Sequence, residues 1–134
     1  MTLWNLSRRS AVTAALMTFT VGAFAQTGDW PNKPIKLVVA GPAGAGMDIF
    51  GRLIAAPLQA ALKTPVVVEN KAGANSIIGN DAVAKSAPDG YTFLMTPSSA
   101  IAINPVVQPK MPYDTQKDLV PVAQVGAAGI LLIA

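Results

Sequence analysis

The sequence predicts an α/β fold built on a parallel, doubly wound sheet. Short, nearly continuous apolar runs, which suit strands covered on both faces, alternate along the chain with helical patterns. A loop rich in small residues follows each of the first three apolar runs. Because ligands bind beyond the carboxyl ends of parallel strands, these loops are expected to meet at one functional edge of the sheet.

The first structural unit is predicted to be a strand over residues 35–40, a loop over 41–47 and a helix over 48–63. The helix pattern places its apolar residues in one stripe, which is typical of a helix packed on a sheet. Pro57 lies inside this pattern, and a proline there removes one hydrogen bond and predicts a kink.

The same order of strand, loop and helix continues along the chain. Further strands are predicted over residues 66–69, 91–95, 118–125 and 130–133. A second helix is predicted over 76–87, and a short helical or irregular piece follows the third strand. The alternation is that of a doubly wound α/β sheet.

Residues 1–25 are predicted to be a secretory signal peptide. Arg8 and Arg9 precede a short apolar stretch over 11–24, and Ala23-Phe24-Ala25 supplies an A-x-A cleavage site. A membrane anchor is the alternative, but the stretch is short and interrupted by threonines. The paired arginines resemble a twin-arginine signal, although no Phe-Leu pair follows them, which favours general secretion. The predicted location is the periplasm.

Charge and composition disfavour several classes of function. The chain carries 10 Lys and Arg, and removing Arg8 and Arg9 with the leader leaves eight against seven Asp and Glu. This near balance argues against a nucleic-acid partner. The chain has no Cys and no His, which are the commonest metal ligands, nucleophiles and neutral-pH bases. We therefore predict no metal, no cofactor and no catalytic residue.

The loop after the first strand is the leading candidate for a binding site. Its exposed amides at a helix N-terminus suit a carboxylate, and they belong to Ala43, Gly44, Ala45, Gly46 and Met47. No Lys-Ser or Lys-Thr follows the glycines, as a P-loop requires, and the G-x-G-x-x-G pattern is incomplete. The alternative is an ordinary connection that needs glycine for its turn.

Four polar residues near the predicted loops are further candidates, each with a structural alternative. Asp48 is predicted to be the N-cap of the first helix, because its carboxylate would repel a bound anion unless the ligand also carries an amine. Asn75 would either cap the second helix or donate its amide to a ligand. Ser98 and Ser99 would serve as turn or cap residues or as ligand-binding hydroxyls. As a nucleophile, either serine would need a Lys or carboxylate base.

Several linked motifs resemble the substrate-binding receptors of tripartite tricarboxylate transporters, also called Bug-type receptors. Besides the glycine loop that ends in Asp48, they are Trp30-Pro-Asn-Lys-Pro-Ile-Lys-Leu-Val-Val39, Pro65-Val-Val-Val-Glu-Asn-Lys-Ala-Gly73, Ala82-Val-Ala-Lys-Ser-Ala-Pro-Asp-Gly-Tyr-Thr92, Ala102-Ile-Asn-Pro105 and Pro112-Tyr-Asp-Thr-Gln-Lys-Asp-Leu-Val-Pro-Val122. The resemblance implies a two-lobed receptor of the type II periplasmic-binding-protein fold. Such a receptor closes on a small carboxylate and delivers it to membrane subunits, without catalysis.

The resemblance also implies roles for individual residues. Gly44 and Gly46 would be backbone donors to the ligand, and the implication is weaker for the side chains of the second and third loops. Three departures affect the pocket wall. Ala40-Gly41 replaces the family's common Pro-Phe or Pro-Tyr, Gly44-Ala45 stands where paired glycines are usual, and Met47 stands where a small hydroxyl residue is common. These departures would alter the choice of ligand or weaken its binding.

The resemblance implies a division of the chain into three parts. Residues 1–25 are the signal peptide, residues 26–125 are the first part of lobe 1, and residues 126–134 begin a crossover strand towards a second lobe. The final apolar run lacks a polar tail, so a truncated receptor that binds weakly or not at all is expected. The alternatives are a fragment of an exported α/β hydrolytic enzyme and a remnant that binds nothing.

Overall fold

The computed structural model describes residues 29–127, of which those from Pro31 onward belong to one compact unit. Its elements are β1 (Ile35–Val39), α1 (Gly46–Leu62), β2 (Val66–Asn70), α2 (Ile77–Ala84), β3 (Thr92–Met95), α3 (Ser98–Ala102) and α4 (Asn104–Val107). The predicted order of the first three strands and two helices is confirmed. The predicted signal peptide and the predicted strand over 130–133 lie outside the described residues.

The three strands form one parallel sheet in the order β2-β1-β3. Ile35 lies opposite Val66 in the β1–β2 pair, and Lys36 lies opposite Thr92 in the β1–β3 pair. The chain therefore moves to one side of β1 and then crosses to the other side. This reversal around a central first strand is the doubly wound arrangement that the sequence predicts.

The reversal places α1 and α2 on opposite faces of the sheet. Gly51 of α1 approaches the Val39 side chain so closely that an added Cβ would lie 2.9 Å from Val39 Cγ2. Gly79 of α2 instead lies against Ala40, whose side chain alternates to the other face. This is the arrangement expected when one right-handed crossover leads from β1 to β2 and the next leads back across β1 to β3. Because β1 is covered on both faces, Ile35, Val38 and Val39 are at most 1% exposed.

The main core lies between α1 and the sheet. Ile35, Leu37 and Val66 pack with Ala55 of α1, and partly buried side chains surround them: Leu58, Leu62, Val68, Tyr91, Phe93 and Met95. Full burial of one such aliphatic side chain is worth about 2 kcal/mol. The core therefore holds α1 firmly on β1, and the N-terminus of α1 is carried to the carboxyl edge of the sheet.

Helix α1 begins two residues earlier than predicted and runs without interruption through Pro57 to Leu62. Its C-cap, Lys63, has the left-handed conformation with φ of 51°. Gln59 then accepts a hydrogen bond from the Val66 amide through Oε1 at 3.2 Å. This contact ties the end of the helix to the start of β2. Among residues 29–127, no helix is both long and apolar enough to cross a lipid bilayer.

The predicted strand over 118–125 is wrong. These residues have no regular secondary structure, and Val120 and Val122 are 84% and 76% exposed. Asp118 closes a local turn instead, because its amide donates to the Asp114 carbonyl at 2.8 Å. A strand needs partners for its backbone groups, and Pro121 cannot donate at all. The apolar pattern here has no strand to pair with among the described residues.

Candidate functional site

Three loops lie at the carboxyl edge of the sheet. They follow β1, β2 and β3 and cover residues 40–45, 71–76 and 96–97. In the order β2-β1-β3, the strand order reverses between β1 and β3, and such a switch point opens a crevice between the flanking loops. Residues 43–48 follow β1, and Ser98 and Ser99 follow β3, so both groups lie at this edge of the sheet.

The N-terminus of α1 supplies donors without intramolecular acceptors. Ala45 is the N-cap and has no side-chain cap bond, and the Ile49 amide makes the first helical hydrogen bond, to the Ala45 carbonyl. In the part of the chain that the structure describes, the amides of Gly46, Met47 and Asp48 have no acceptor. Three such amides at the positive end of a helix are suited to bind an anion.

The prediction that Asp48 is the N-cap is wrong. Asp48 is the third residue of α1, and its side chain reaches back to accept a hydrogen bond from the Gly44 amide, with 2.8 Å between N and Oδ2. The contact is similar to the reverse half of a capping box, but the donor is the residue before the Ala45 N-cap rather than the N-cap itself. Gly44 has φ of +78°, a conformation that costs glycine little and lets the chain turn early into the helix. The Gly44 amide is consequently occupied by Asp48.

Arg52 offsets the charge of Asp48. Its Nε donates to Asp48 Oδ2 at 3.1 Å and lies 3.0 Å from Oδ1. Asp48 is only 4% exposed. The hydrogen bond from Arg52 and then that from the Gly44 amide lower the pKa of Asp48 from 3.8 to about 2. The repulsion that a bound anion would experience from this carboxylate is therefore compensated within the loop.

This pKa predicts how stability depends on acid. Since folding lowers the Asp48 pKa from 3.8 to about 2, its ionised form stabilises the fold above pH 3.8. We expect that contribution to be lost as the pH falls through the interval from 3.8 to about 2. Asp48→Asn should lower the free energy of unfolding at pH 7 and flatten its acid dependence, as measured by urea denaturation at several pH values.

A suitable control for this prediction is Asp81→Asn. Asp81 also pairs with a basic residue four positions later, Lys85, but accepts no hydrogen bond from a loop amide. The control should lower the free energy of unfolding at pH 7 by less than Asp48→Asn does, because it removes a largely exposed ion pair and no hydrogen bond to a loop amide. Equal slopes for the Asp48 variant and the native chain would show that Asp48 does not carry this effect.

The loop after β2 is strained and held by side chains. Ala74, Asn75 and Ser76 have φ of 46°, 52° and 71°, a left-handed run that is costly for residues with a Cβ. Asn75 Nδ2 donates to Asn104 Oδ1 at 2.6 Å, and Asn104 Nδ2 donates to the Asn75 carbonyl at 2.9 Å. Ser76 Oγ donates to the Ala40 carbonyl at 2.7 Å. Of the two roles left open for Asn75, capping is not observed, since Ser76 is the N-cap position.

The two serines after β3 are the first residues of the short helix α3. Pro97 occupies the N-cap position and no side chain caps this helix, so the predicted cap role is not observed for either serine. Neither hydroxyl has a hydrogen-bond partner within residues 29–127. A nucleophilic serine needs an adjacent base, and none is hydrogen-bonded to these two. Both hydroxyls are therefore available for a ligand as far as the described residues are concerned.

Three side chains that organise this edge were not predicted from the sequence. They belong to Arg52, Asn70 and Asn104. The spacing of Asp48 and Arg52 at i and i+4 was a readable signal for their ion pair. Each asparagine side chain has a partner 29 residues away, Gly41 for Asn70 and Asn75 for Asn104, and no local pattern reveals such contacts.

Comparison with known families decides the assignment of the chain. Residues 50–134 match the model of the family described as "Tripartite tricarboxylate transporter family receptor". The chain is also 41% identical over 131 residues to the protein BugT of Bordetella pertussis, an alignment that covers 96% of this chain. The chain belongs to the tripartite tricarboxylate transporter receptor family. Members of this family are solute-binding receptors rather than enzymes, in agreement with the prediction of no catalysis.

The relatives of this receptor-family chain are much longer than the chain itself. The match to BugT covers 40% of that protein. A UPF0065 protein of Bordetella bronchiseptica is 42% identical over 121 residues, which cover 90% of this chain and 36% of the relative. The chain thus spans about two fifths of the length of these curated relatives.

Solved structures of similar proteins confirm the α/β fold class. A protein of R. palustris solved with adipate is 36% identical, with a TM-score of 0.63, over 66% of this chain and 29% of that chain. MatC from Rhodopseudomonas palustris with bound malate is 30% identical, with a TM-score of 0.61, over 72% of this chain and 33% of that chain. A periplasmic transporter is 39% identical, with a TM-score of 0.62, over 64% of this chain and 29% of that chain.

Proposed function

We propose that this chain forms the first part of lobe 1 of an exported receptor for a small organic carboxylate. Residues 1–25 direct export to the periplasm, residues 26–125 build one wall of the cleft, and residues 126–134 begin the crossover to a second lobe. The loaded receptor delivers its ligand to the membrane subunits of a tripartite tricarboxylate-type transporter. The observation that carries the proposal is the likeness, at 30% and 36% identity, to chains solved with malate and adipate.

The geometry of the carboxyl edge supports a carboxylate as the ligand. The amides of Gly46, Met47 and Asp48 lack acceptors among the described residues, and a carboxylate accepts two or three such bonds. Arg52 compensates the Asp48 charge beside them. Ser98 and Ser99 follow β3, the neighbour of β1 in the sheet, and therefore belong to the same edge. Malate and adipate, the ligands named for two similar structures, are both dicarboxylates.

The proposal also accounts for the share of the relatives that this chain spans. A receptor that closes around its ligand needs two opposing walls, and the described residues provide one. The chain matches 40% of BugT, so the further length of such relatives is available to build the opposing wall. A closed cleft buries most of the ligand surface and excludes water from its polar contacts. A ligand held by one wall stays exposed to water, so its affinity is lower.

The chain alone is expected to bind its ligand weakly, because the described residues supply one wall of the cleft. Calorimetry of the chain against malate, adipate and a tricarboxylate should give dissociation constants weaker than about 1 mM, which corresponds to about −4 kcal/mol. Micromolar affinity would contradict the incomplete cleft.

A completed cleft offers the decisive test of the binding function. Residues 30–127 would replace the matching segment of MatC, and the chimera should bind a dicarboxylate with a dissociation constant below about 100 μM. Gly46→Pro in this chimera removes one of the acceptor-free amides, while proline suits the first helical position and the extended Ala45 before it. It should weaken binding about tenfold, the value of one charge-assisted hydrogen bond.

Gly46→Ala is the matched control, because it keeps the amide and its Cβ meets nothing within 4 Å. It should bind like the parent chimera. A folded chimera that binds no carboxylate would favour the non-binding remnant. If the proline and alanine variants bound the ligand with equal affinity, the Gly46 amide would make no contribution to binding.

A further inference from the structure

Four side-chain contacts form a continuous link between the two ends of the loop after β1. Asn70 Nδ2 donates to the Gly41 carbonyl at 3.2 Å, and Arg52 Nη2 donates to Asn70 Oδ1 at 3.3 Å. Arg52 Nε donates to Asp48 Oδ2, which accepts the Gly44 amide. We call this set, from Gly41 through Asn70, Arg52 and Asp48 to Gly44, the loop clamp. It joins the start of the loop to its end through the last residue of β2.

The loop clamp acts on the segment that precedes the acceptor-free amides. Gly44 is the last residue before the Ala45 N-cap of α1, so the Asp48 contact determines how the chain enters the helix. Gly44 has no side chain to resist rearrangement, and an added Cβ there would meet nothing within 4 Å. No side chain therefore anchors Gly44 itself. The hydrogen bond from its amide to Asp48 ties it to the clamp, and the Ala45 amide also donates to the Pro42 carbonyl at 3.3 Å.

The clamp also determines the charge that a ligand meets. Asp48 carries a buried carboxylate in the first turn of α1, next to the amides of Gly46 and Met47. Without Arg52, an approaching anion would meet this negative charge. Like charges that lie a few ångströms apart near a protein surface repel each other, and a basic partner on the carboxylate reduces that repulsion. Arg52 is the basic group paired with this carboxylate in the described part of the chain.

We propose that Arg52 and Asn70 are positioning residues for the carboxylate site, holding the loop after β1 in its receptive shape and neutralising Asp48 without touching the ligand. This inference rests on the proposed function. Arg52 does not need to contact the ligand, because Nε and Nη2 are directed to Asp48 and Asn70. The role requires the planar fork of arginine, since a lysine ammonium can pair with Asp48 but lacks the geometry to hold both partners.

The test compares Arg52→Met and Arg52→Lys with the native chain by NMR. The first readout is the apparent pKa of the Asp48 carboxyl, and the second is hydrogen exchange of the Asn70 side-chain amide. The third is the shift of the amides of residues 46–48 when malate is added up to tens of millimolar, roughly the range expected for weak binding. Lys85→Met is the matched control, because it removes another i,i+4 ion pair, with Asp81, far along the chain.

We expect Arg52→Met to weaken the acidity of Asp48 by at least about tenfold, since a neighbouring opposite charge lowers a carboxyl pKa by about 1–3 units. The malate response of residues 46–48 should weaken about tenfold as well. Arg52→Lys should restore most of the Asp48 acidity but leave Asn70 exchanging faster than in the native chain. Lys85→Met should leave all three readouts unchanged.

The two proposals fail in different ways. An unchanged Asp48 pKa and unchanged Asn70 exchange in Arg52→Met would overturn the positioning role. An equal malate response in the native chain and in Arg52→Met would also overturn it, while the binding function would stand. Absence of any malate response in the native chain would agree with the incomplete cleft and leave the binding function to the chimera, and the Asp48 and Asn70 readouts would then decide the positioning role alone.

Discussion

Replacing Gly79 by alanine should destabilise the fold by about 3 kcal/mol, at the upper end for a single overpacking substitution. An added Cβ would lie 2.7 Å from Ala40 Cβ, 2.8 Å from the Lys71 carbonyl oxygen and 2.9 Å from Ala40 Cα. Two of these three atoms belong to the backbone, so no side-chain rotation relieves the overlap. Helix α2 must move away from the end of β1, and this cost exceeds the gain of up to about 1 kcal/mol in helix propensity.

Urea denaturation of the chain measures this effect, and Gly46→Ala is its control. The Cβ at residue 46 meets nothing within 4 Å, so the control should change stability by less than about 0.5 kcal/mol. The displaced helix should also disturb the loop after β2, because Lys71 supplies one of the contacts. If Gly79→Ala proved as stable as the native chain, the close approach of α2 to Ala40 would be wrong.

Asn104→Ala is expected to have the second large effect and should lower the free energy of unfolding by about 2 kcal/mol. Asn104 is fully buried and makes two hydrogen bonds to Asn75, one to its side chain and one to its carbonyl. These bonds hold the left-handed run of residues 74–76, whose backbone conformation is unfavourable by itself. Removing them leaves Ser76 Oγ to Ala40 as the remaining side-chain bond on this run.

Amide hydrogen exchange separates this local effect from general destabilisation. Residues 74–76 should exchange faster in Asn104→Ala than expected from the change in global stability, while amides of β1 should follow it. Gln108→Ala, at an exposed site just after α4, should change neither the exchange of residues 74–76 nor the global stability appreciably. Unaltered exchange in the loop would mean that Asn104 does not hold the left-handed run.

The fold class and the site edge were predictable because they depend on local patterns. Apolar runs identify β1, β2 and β3, and the helical stripe of α1 follows from residues close in sequence. The small-residue loops follow these strands, so their common position at the carboxyl edge follows from parallel topology alone. The linked motifs identify the receptor family in the same way, because they depend only on the order of residues along the chain.

The failures share one cause. The segment 118–125 has an apolar composition, but strand formation depends on a neighbouring strand that the described residues do not provide. Asp48 has the composition of an N-cap, yet Gly44 allows the helix to begin earlier and places Asp48 in the third helical position. In both cases the local sequence favours the predicted structure, but contacts with the rest of the fold determine which structure forms.

The sequence by itself determined the order of elements, the position of the glycine loop before α1 and the membership of the chain in its receptor family. Only the tertiary structure decided which groups at that edge remain available for a ligand. The contacts of Asn70 with Gly41 and of Asn75 with Asn104 each join residues 29 positions apart. Hydrogen bonds of this kind depend on the packing of β1, β2 and α4, because side-chain donors select acceptors by distance and angle rather than by position in the chain.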